Sequence, residues 1–381
     1  MGSSISVVLF LAMFAFALST HALSSYSSFP VGNGLVGLAI DEDNNVWISY
    51  GSEEVIQLKN DGTIIQNLNG FNLPWGMKID SYGNLWVVNN GNGTISKLSN
   101  TGIIVGNYPV GSAPSNVAFD SEQNAFVTNG YNSVTKLDNN GNVLATISFN
   151  DFKGTTGIIV DENDAVWVTN MDSYTVTKFD ATTGNFIGTY VVAPLTFSGG
   201  PTDIAVDNEQ NIWVANDDDN SVTKLANDGT FITTIIGLNG AFALTLDSNN
   251  NVYVANVDGK TITKINSAGV IIETYTVEMY PYNLEFDEFG NLWVLYWTET
   301  VVSKIPFSTI QAPITQTPTT QSSTTQTPTT QLPITNSPTN KFLRTQSPTL
   351  SICSTLKNKK LCKKNTSCLW GGKFCAPKDS Y

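Results

Sequence analysis

Carboxylates stand at Asp41, Asp80, Asp120, Asp161, Asp207, Asp247 and Asp287, each followed at fixed distances by side chains it could work with. Six residues on comes an aromatic ring: Trp47, Trp86, Phe126, Trp167, Trp213, Tyr253 or Trp293. Nine residues on comes an amide in five copies (Asn89, Asn129, Asn170, Asn216, Asn256) and a phenol in the outer two (Tyr50, Tyr296). A carboxylate in such company can move protons, hold a cation or accept backbone N–H groups in a turn. The spacing between markers, 39, 40, 41, 46, 40 and 40 residues, decides for the turn, because a fixed period near forty marks a repeat architecture. Six lysines, Lys97, Lys136, Lys178, Lys224, Lys264 and Lys304, repeat in the same way and read as solvated strand residues.

Other chemistry is bounded by one scarce side chain. The only histidine is His21, directly behind an apolar run from Val7 to Leu18. That run is too short to span a membrane and suits a signal peptide, and Thr20-His21-Ala22 places small residues for cleavage after Ala22. The mature chain is then expected to be secreted or at the cell surface, without an imidazole for general base, zinc ligand or nucleophile activation.

The repeated residues need strands to position them. Within one unit the period is two: Ile204, Val206, Ile212 and Val214 lie in short runs rich in Val, Ile, Thr and Trp, bounded by Asn, Asp and Gly. Four strands fit the unit of Asp207, near 203–206, 211–215, 221–225 and 230–236. Seven such units predict an all-β, seven-bladed propeller over residues 23–306. Phe29 to Asp41 aligns without a gap on Tyr108 to Asp120, which ends one unit and begins the next. The third strand of unit seven, V-V-S-K-I, runs into Pro306 without the Gly turn of the other six. The N-terminal strand is therefore expected to complete the last blade and remove two exposed sheet edges.

The stretches V-A-N-D-D-D-N-S-V-T-K-L (214–225) and V-T-N-M-D-S-Y-T-V-T-K-F (168–179) resemble NHL-type repeats of the streptogramin lyase-like and gluconolactonase-like propellers. The resemblance covers roughly residues 28–305 and implies the fold. Streptogramin lyase-like members depend on histidines, which this chain does not offer. Gluconolactonase-like members carry a Glu, Asp and Asn metal site announced by E-G-P, where this chain reads N-G-L-V-G. Asn116, Asp203 and Asn283 offer other oxygen ligands. No cofactor is expected, with a divalent cation in the central channel, on oxygen ligands only, left open.

Beyond the propeller, residues 307–350 form a Thr/Pro/Ser/Gln-rich linker that cannot bury a core and reads as an extended stalk. Residues 351–381 hold Cys353, Cys362, Cys368 and Cys375, an even set in a small secreted unit that reads as two disulfides with three possible pairings. Asn92 and Asn365 lie in glycosylation sequons. Residues 23–340 carry ten Lys and no Arg against 31 acidic residues, which argues against nucleic acid. Residues 341–381 carry eight Lys and one Arg against Asp379 alone, so this module is a candidate for contact with an anionic wall or surface. The acidic run at 217–220 reads as a solvated loop, since neither it nor 41–45 continues as a calcium loop.

Repeat proteins place variable loops on one face. Here these are the loops before units four and five, Ser148–Thr156 and Val191–Asp203. Aromatics outside the core pattern gather with them, and closure brings units seven, one and two together. Tyr50, Trp75, Tyr282, Tyr296 and Trp297 are therefore expected in one binding sector, with Asp203 beside it. The chain reads as a secreted, tethered, monomeric recognition propeller for a glycan or protein ligand that catalyses nothing. The alternative is a metal-dependent hydrolase or lyase of the propeller groups it resembles.

Overall fold

A computed structural model describes residues 20–23, 26–51, 53–192, 200–297, 299–307, 368–370 and 375–377. The chain divides into two units, residues 1–313 and 314–381. The first unit is a seven-bladed propeller in which each blade is an antiparallel four-stranded sheet, the sixth carrying a fifth strand. Blade five runs Pro201–Val206, Ile212–Asn216, Ser221–Leu225 and Phe231–Ile236, close to the strands read from the alternating pattern. The first strands of neighbouring blades pack side by side around the channel, blade seven against blade one included. In the second unit the short strands Cys368–Trp370 and Cys375–Pro377 pair antiparallel. Cys353, Cys362, the cysteine pairing, the linker beyond residue 307 and Asn365 lie outside the described residues.

The ring closes as the gap-free alignment predicts. Ser27–Pro30 pairs antiparallel with the third strand of blade seven, Ser27 opposite Lys304 and Pro30 opposite Val301. Phe29 stacks on Trp293 with ring centroids 5.6 Å apart. On its other side it lies against Gly62 of blade one, where a Cβ would fall 1.9 Å from the Phe29 ring and φ is +86°. Glycine serves both demands there. Thr20–Ala22, beside the expected cleavage point, pairs in parallel with Thr274–Thr276 as the fifth strand of blade six.

The marker carboxylates sit in their turns as the repeat implies. Asp207 Oδ1 accepts the backbone N–H of Glu209 and Asn211. Its Oδ2 accepts the Trp213 indole N–H at 2.9 Å. Burial pushes this carboxyl up, but the bonds from Trp213 and Asn211 outweigh it and hold it below the usual carboxylate range. The markers Asp80, Asp161 and Asp287 are lowered against the same burial by similar bonds. The rings above are fully buried in five of the six positions held by Trp and Phe, and nearly so at Trp47. Each contributes about 1.5–3 kcal/mol by burial.

The lysines depart from expectation. They are not solvated: the Lys224 ammonium lies 3.3 Å from Asp207 Oδ2 and 4.5 Å from the Trp213 ring centroid, and bonds the Ser267 carbonyl of blade six. Lys97, Lys136 and Lys178 repeat this, reaching Asn139, Ala181 and Asn227 on the next blade. A period-two pattern places these side chains on a blade face, but the next blade covers that face, so stem and charge are both enclosed. Asn139 and Asn227 return a side-chain N–H to Asp80 and Asp161. At the closure Lys304 bonds Asn60 of blade one, and Asn60 donates to Asp287. Lys264 pairs with Asp247 and is more open, because blade seven has no third turn to receive it. In blade one Gln57 takes the lysine position and donates to Asp41. The outcome is a polar girdle linking blade to blade.

Candidate functional site

The first strand of every blade lines the channel, and register places its residues in rings. Five positions before the marker stand Val36, Trp75, Ser115, Thr156, Thr202, Phe242 and Tyr282. All seven line a cavity of about 400 Å³ at the channel mouth, together with Met171 and Trp297 from the ends of second strands. Four positions before the marker the ring reads Gly37, Gly76, Asn116, Gly157, Asp203, Ala243 and Asn283. The three glycines are steric: a Cβ on Gly37 would stand 2.2 Å from the Trp75 carbonyl and one on Gly76 2.5 Å from the Ser115 carbonyl. Two positions before the marker, Lys78 and Glu285 are the charged members of a ring lining a second space of about 420 Å³ in the lumen. Gly76, Asn116, Asp203 and Asn283 border both spaces and form the waist between them.

The mouth has two unlike halves. Blades six, seven, one and two supply Phe242, Tyr282, Trp297, Val36 and Trp75. Tyr282 stacks on Phe242 at 4.5 Å and meets Trp297 at 4.7 Å. Trp75 and Trp297 remain 42% and 48% exposed, so their rings are available. Burial pushes the Tyr282 phenol up to about 12, with a hydrogen bond donated by the Trp75 indole working against it. Blades three, four and five supply hydroxyls engaged both within their own blade and across blade boundaries. Thr202 Oγ1 donates to the Phe242 carbonyl at 2.6 Å, and Ser115 and Thr156 have carbonyls of the following blades within bonding distance.

Asp203 is the charged residue of the waist. Its Oδ1 accepts the Ile204 N–H and its Oδ2 the Leu244 N–H of blade six. Burial raises its carboxyl, against these two bonds and the field of Lys78. Burial raises Glu285 as well, with Lys78 opposing and Asp203 adding to the shift. A divalent cation here would rest on Asn116, Asp203 and Asn283. Asn116 and Asn283 each commit their side-chain oxygen to the next residue's N–H, and Asn283 donates to the Val36 carbonyl. Among the described residues no three His, Cys, Asp or Glu side chains gather to hold a metal. One carboxylate with two engaged amides does not fit a divalent metal.

The sector expected from sequence divides. Trp75, Tyr282 and Trp297 meet at the mouth, with Asp203 beneath them. Tyr50 and Tyr296 lie apart, inside the packing. Tyr296 is 1% exposed in the core shared by blades six and seven, and burial pushes its phenol up to about 12. The Tyr50 ring lies against Gly32, and its hydroxyl accepts an N–H from Asn67 at 2.6 Å. The ninth position is a buried one, since Asn216 and Asn256 are also enclosed there and bond the hydroxyls of the third strand. Phe242 joins the mouth without having been singled out among the five. Phe152, in the loop before blade four, packs on Phe149 and Phe179 in the core. The acidic run is only partly solvated: burial, then Asp218 and Asp258, push Asp217 up to about 6. Asn92 is exposed in a turn of blade two, and Thr94 donates to its side-chain oxygen.

Residues 65–328 match the model of the virginiamycin B lyase family. A solved streptogramin B lyase superposes with TM-score 0.67 at 19% identity, covering 74% of this chain and 96% of that one. Virginiamycin B lyase from Staphylococcus aureus superposes with TM-score 0.65 at 18% identity, covering 74% and 99%. A catalytically inactive histidine-to-alanine variant of that lyase, solved with quinupristin, gives 0.66 at 17% with the same coverage. No curated protein matches this chain.

Proposed function

Because the chain belongs to the virginiamycin B lyase family, we propose that its channel mouth is a ligand site, used for recognition without the histidine chemistry of the lyase it resembles. One observation carries this reading: four aromatic rings enclose a 400 Å³ mouth over a single carboxylate. Such a volume suits a small ring-bearing ligand or one projecting group of a larger glycan or protein partner. The comparison sharpens it. Replacing one histidine leaves the Staphylococcus aureus lyase catalytically inactive, whereas His21 is the one histidine here and lies on the outer edge of blade six.

Family membership and Asp203 favour a second reading, elimination at the same site. A carboxyl raised above its ordinary value is better matched to proton transfer near neutrality. Quinupristin separates the two. Recognition predicts tryptophan fluorescence quenching with the compound recovered unchanged; elimination predicts its conversion, lost in Asp203→Asn. Trp75→Ala and Trp297→Ala should abolish quenching while shifting stability by no more than about 1.5 kcal/mol, since the half-exposed rings lose only their contact with Tyr282. Quinupristin that neither quenches nor converts would remove this compound, and quenching that survives both tryptophan changes would remove the mouth.

The setting belongs to the same proposal. Secretion with cleavage after Ala22 would leave blade six with four strands like its neighbours, and N-terminal sequencing of secreted protein tests it. The basic residues of 341–381 would then tether the propeller to an anionic surface.

A further inference from the structure

Resting on the mouth as the ligand site, we propose that its ligand class is an organic cation, a quaternary or protonated amine enclosed by Trp75, Phe242, Tyr282 and Trp297 above Asp203. Three features converge on it. Aromatic faces carry the negative lobe of the ring quadrupole and attract ammonium groups, most strongly when water is excluded. Two of these faces belong to exposed indoles that no side chain of the fold covers fully. Such rings suit a neutral apolar ligand equally well, so the second feature decides.

Among the described lining residues of the mouth, Asp203 is the one carboxyl or amine. It stands on blade five, opposite the aromatic arc of blades seven, one and two. Its partners are two backbone N–H groups, with no cation bonded to it. Lys78, the lysine whose field reaches Asp203, lines the lumen below the waist, where Glu285 shares the same ring of positions. The carboxyl borders the mouth with no ion pair of its own, and an ammonium above it would offset the burial that now disfavours its charged form.

The third feature is the hydroxyl arc. Thr202 directs its proton to the Phe242 carbonyl, and Thr156 has the Pro201 carbonyl within reach of its own. Hydroxyls whose protons go to a carbonyl or a neighbouring hydroxyl keep acceptor lone pairs, which suit a group with N–H or N–CH₃ hydrogens.

The test uses the secreted full chain and choline as probe, beside the uncharged alcohol in which carbon replaces the ammonium nitrogen. Tryptophan quenching and calorimetry should show choline binding about tenfold tighter than the isostere. The preference should collapse in Asp203→Asn, and all binding should be lost in Trp297→Ala. Equal binding of choline and isostere, or no choline binding, overturns the cation. If the isostere binds as tightly as choline, or methyl glucoside binds where choline does not, and Trp297→Ala abolishes that binding, the cation falls while the mouth stands as a ligand site. If neither they nor quinupristin respond to Trp297→Ala, both readings fall together. Asp203 ties blade five to blade six, so should Asp203→Asn not fold, the choline-to-isostere ratio in unaltered protein and the loss of binding in Trp297→Ala decide together.

Discussion

The girdle and the mouth are built on the same strands, yet they obey opposite rules. In the girdle six blades repeat one arrangement of carboxylate, ring and cation, with Gln57 in the cation's place in blade one, and nearly every polar group finds a partner on its own blade or the next. At the mouth the same strand position carries Val36, Trp75, Ser115, Thr156, Thr202, Phe242 and Tyr282 in turn. Repetition secures the fold because each girdle unit docks on a like neighbour. Departure from repetition creates a site, because only unlike residues give one side of a channel a character different from the other.

That contrast can be broken most severely at the closure. Deleting residues 23–33 removes Ser27–Pro30 and the ring of Phe29, leaving the last blade with three strands. Calorimetry should show loss of the single cooperative transition or a large fall in Tm. An unchanged melt would mean that the girdle does not need a closed ring.

Next in size is the girdle cation. Lys224→Met keeps the stem over Trp213 but leaves Asp207 buried without its ion partner. Urea denaturation should show a loss of about 3–5 kcal/mol, with ligand binding per folded molecule unchanged. A loss below about 0.5 kcal/mol would restore the solvated reading of the lysines.

Tyr296→Asn should cost about 1–3 kcal/mol, since the ring is enclosed, and leave quenching at the mouth intact. Loss of binding at unchanged stability would move Tyr296 back among ligand residues.

The smallest effect is a pH response. Asp217, with its carboxyl up at about 6, keeps its proton in the folded chain where the unfolded chain has released it. Folded protein therefore binds more protons between about pH 4 and 6, and this group lowers stability as pH rises through that window. Asp217→Asn should raise stability at pH 7 by about 1 kcal/mol, solvent screening leaving part of the full shift, and the gain should vanish below about pH 4. A gain that is independent of pH would assign the effect to packing.

Periodicity made the blades legible before any coordinates. Asp207, Trp213 and the flanking valines and isoleucines carry enough pattern to place four strands within two residues. Closure was legible too, since Phe29 to Asp41 repeats a junction that occurs elsewhere in the chain. The lysines misled because alternation assigns a side chain to a face and cannot say that a neighbouring blade covers it. Tyr50 and Tyr296 misled in a related way: they replace Asn in five sister blades, but the replaced position is itself interior, so novelty of residue type did not mean exposure. Trp75 and Tyr282 were found as aromatics outside the core pattern. The waist residues Asn116, Asp203 and Asn283 carry a positional signal, lying four residues before their markers, that separates them from the glycines and alanine sharing that ring.

The seam of blade seven also sets a timetable for biogenesis. Ser28 meets Ser303 across most of the propeller's length in sequence. At about 5–20 residues per second, roughly 15–55 s of synthesis separate the two partners. Throughout that interval the first strand has no place to go, and the nascent blades before the seventh present an open flank. A chain stalled or nicked before Val301 is therefore committed to an unfinished circle, whose free edges invite pairing with another nascent copy.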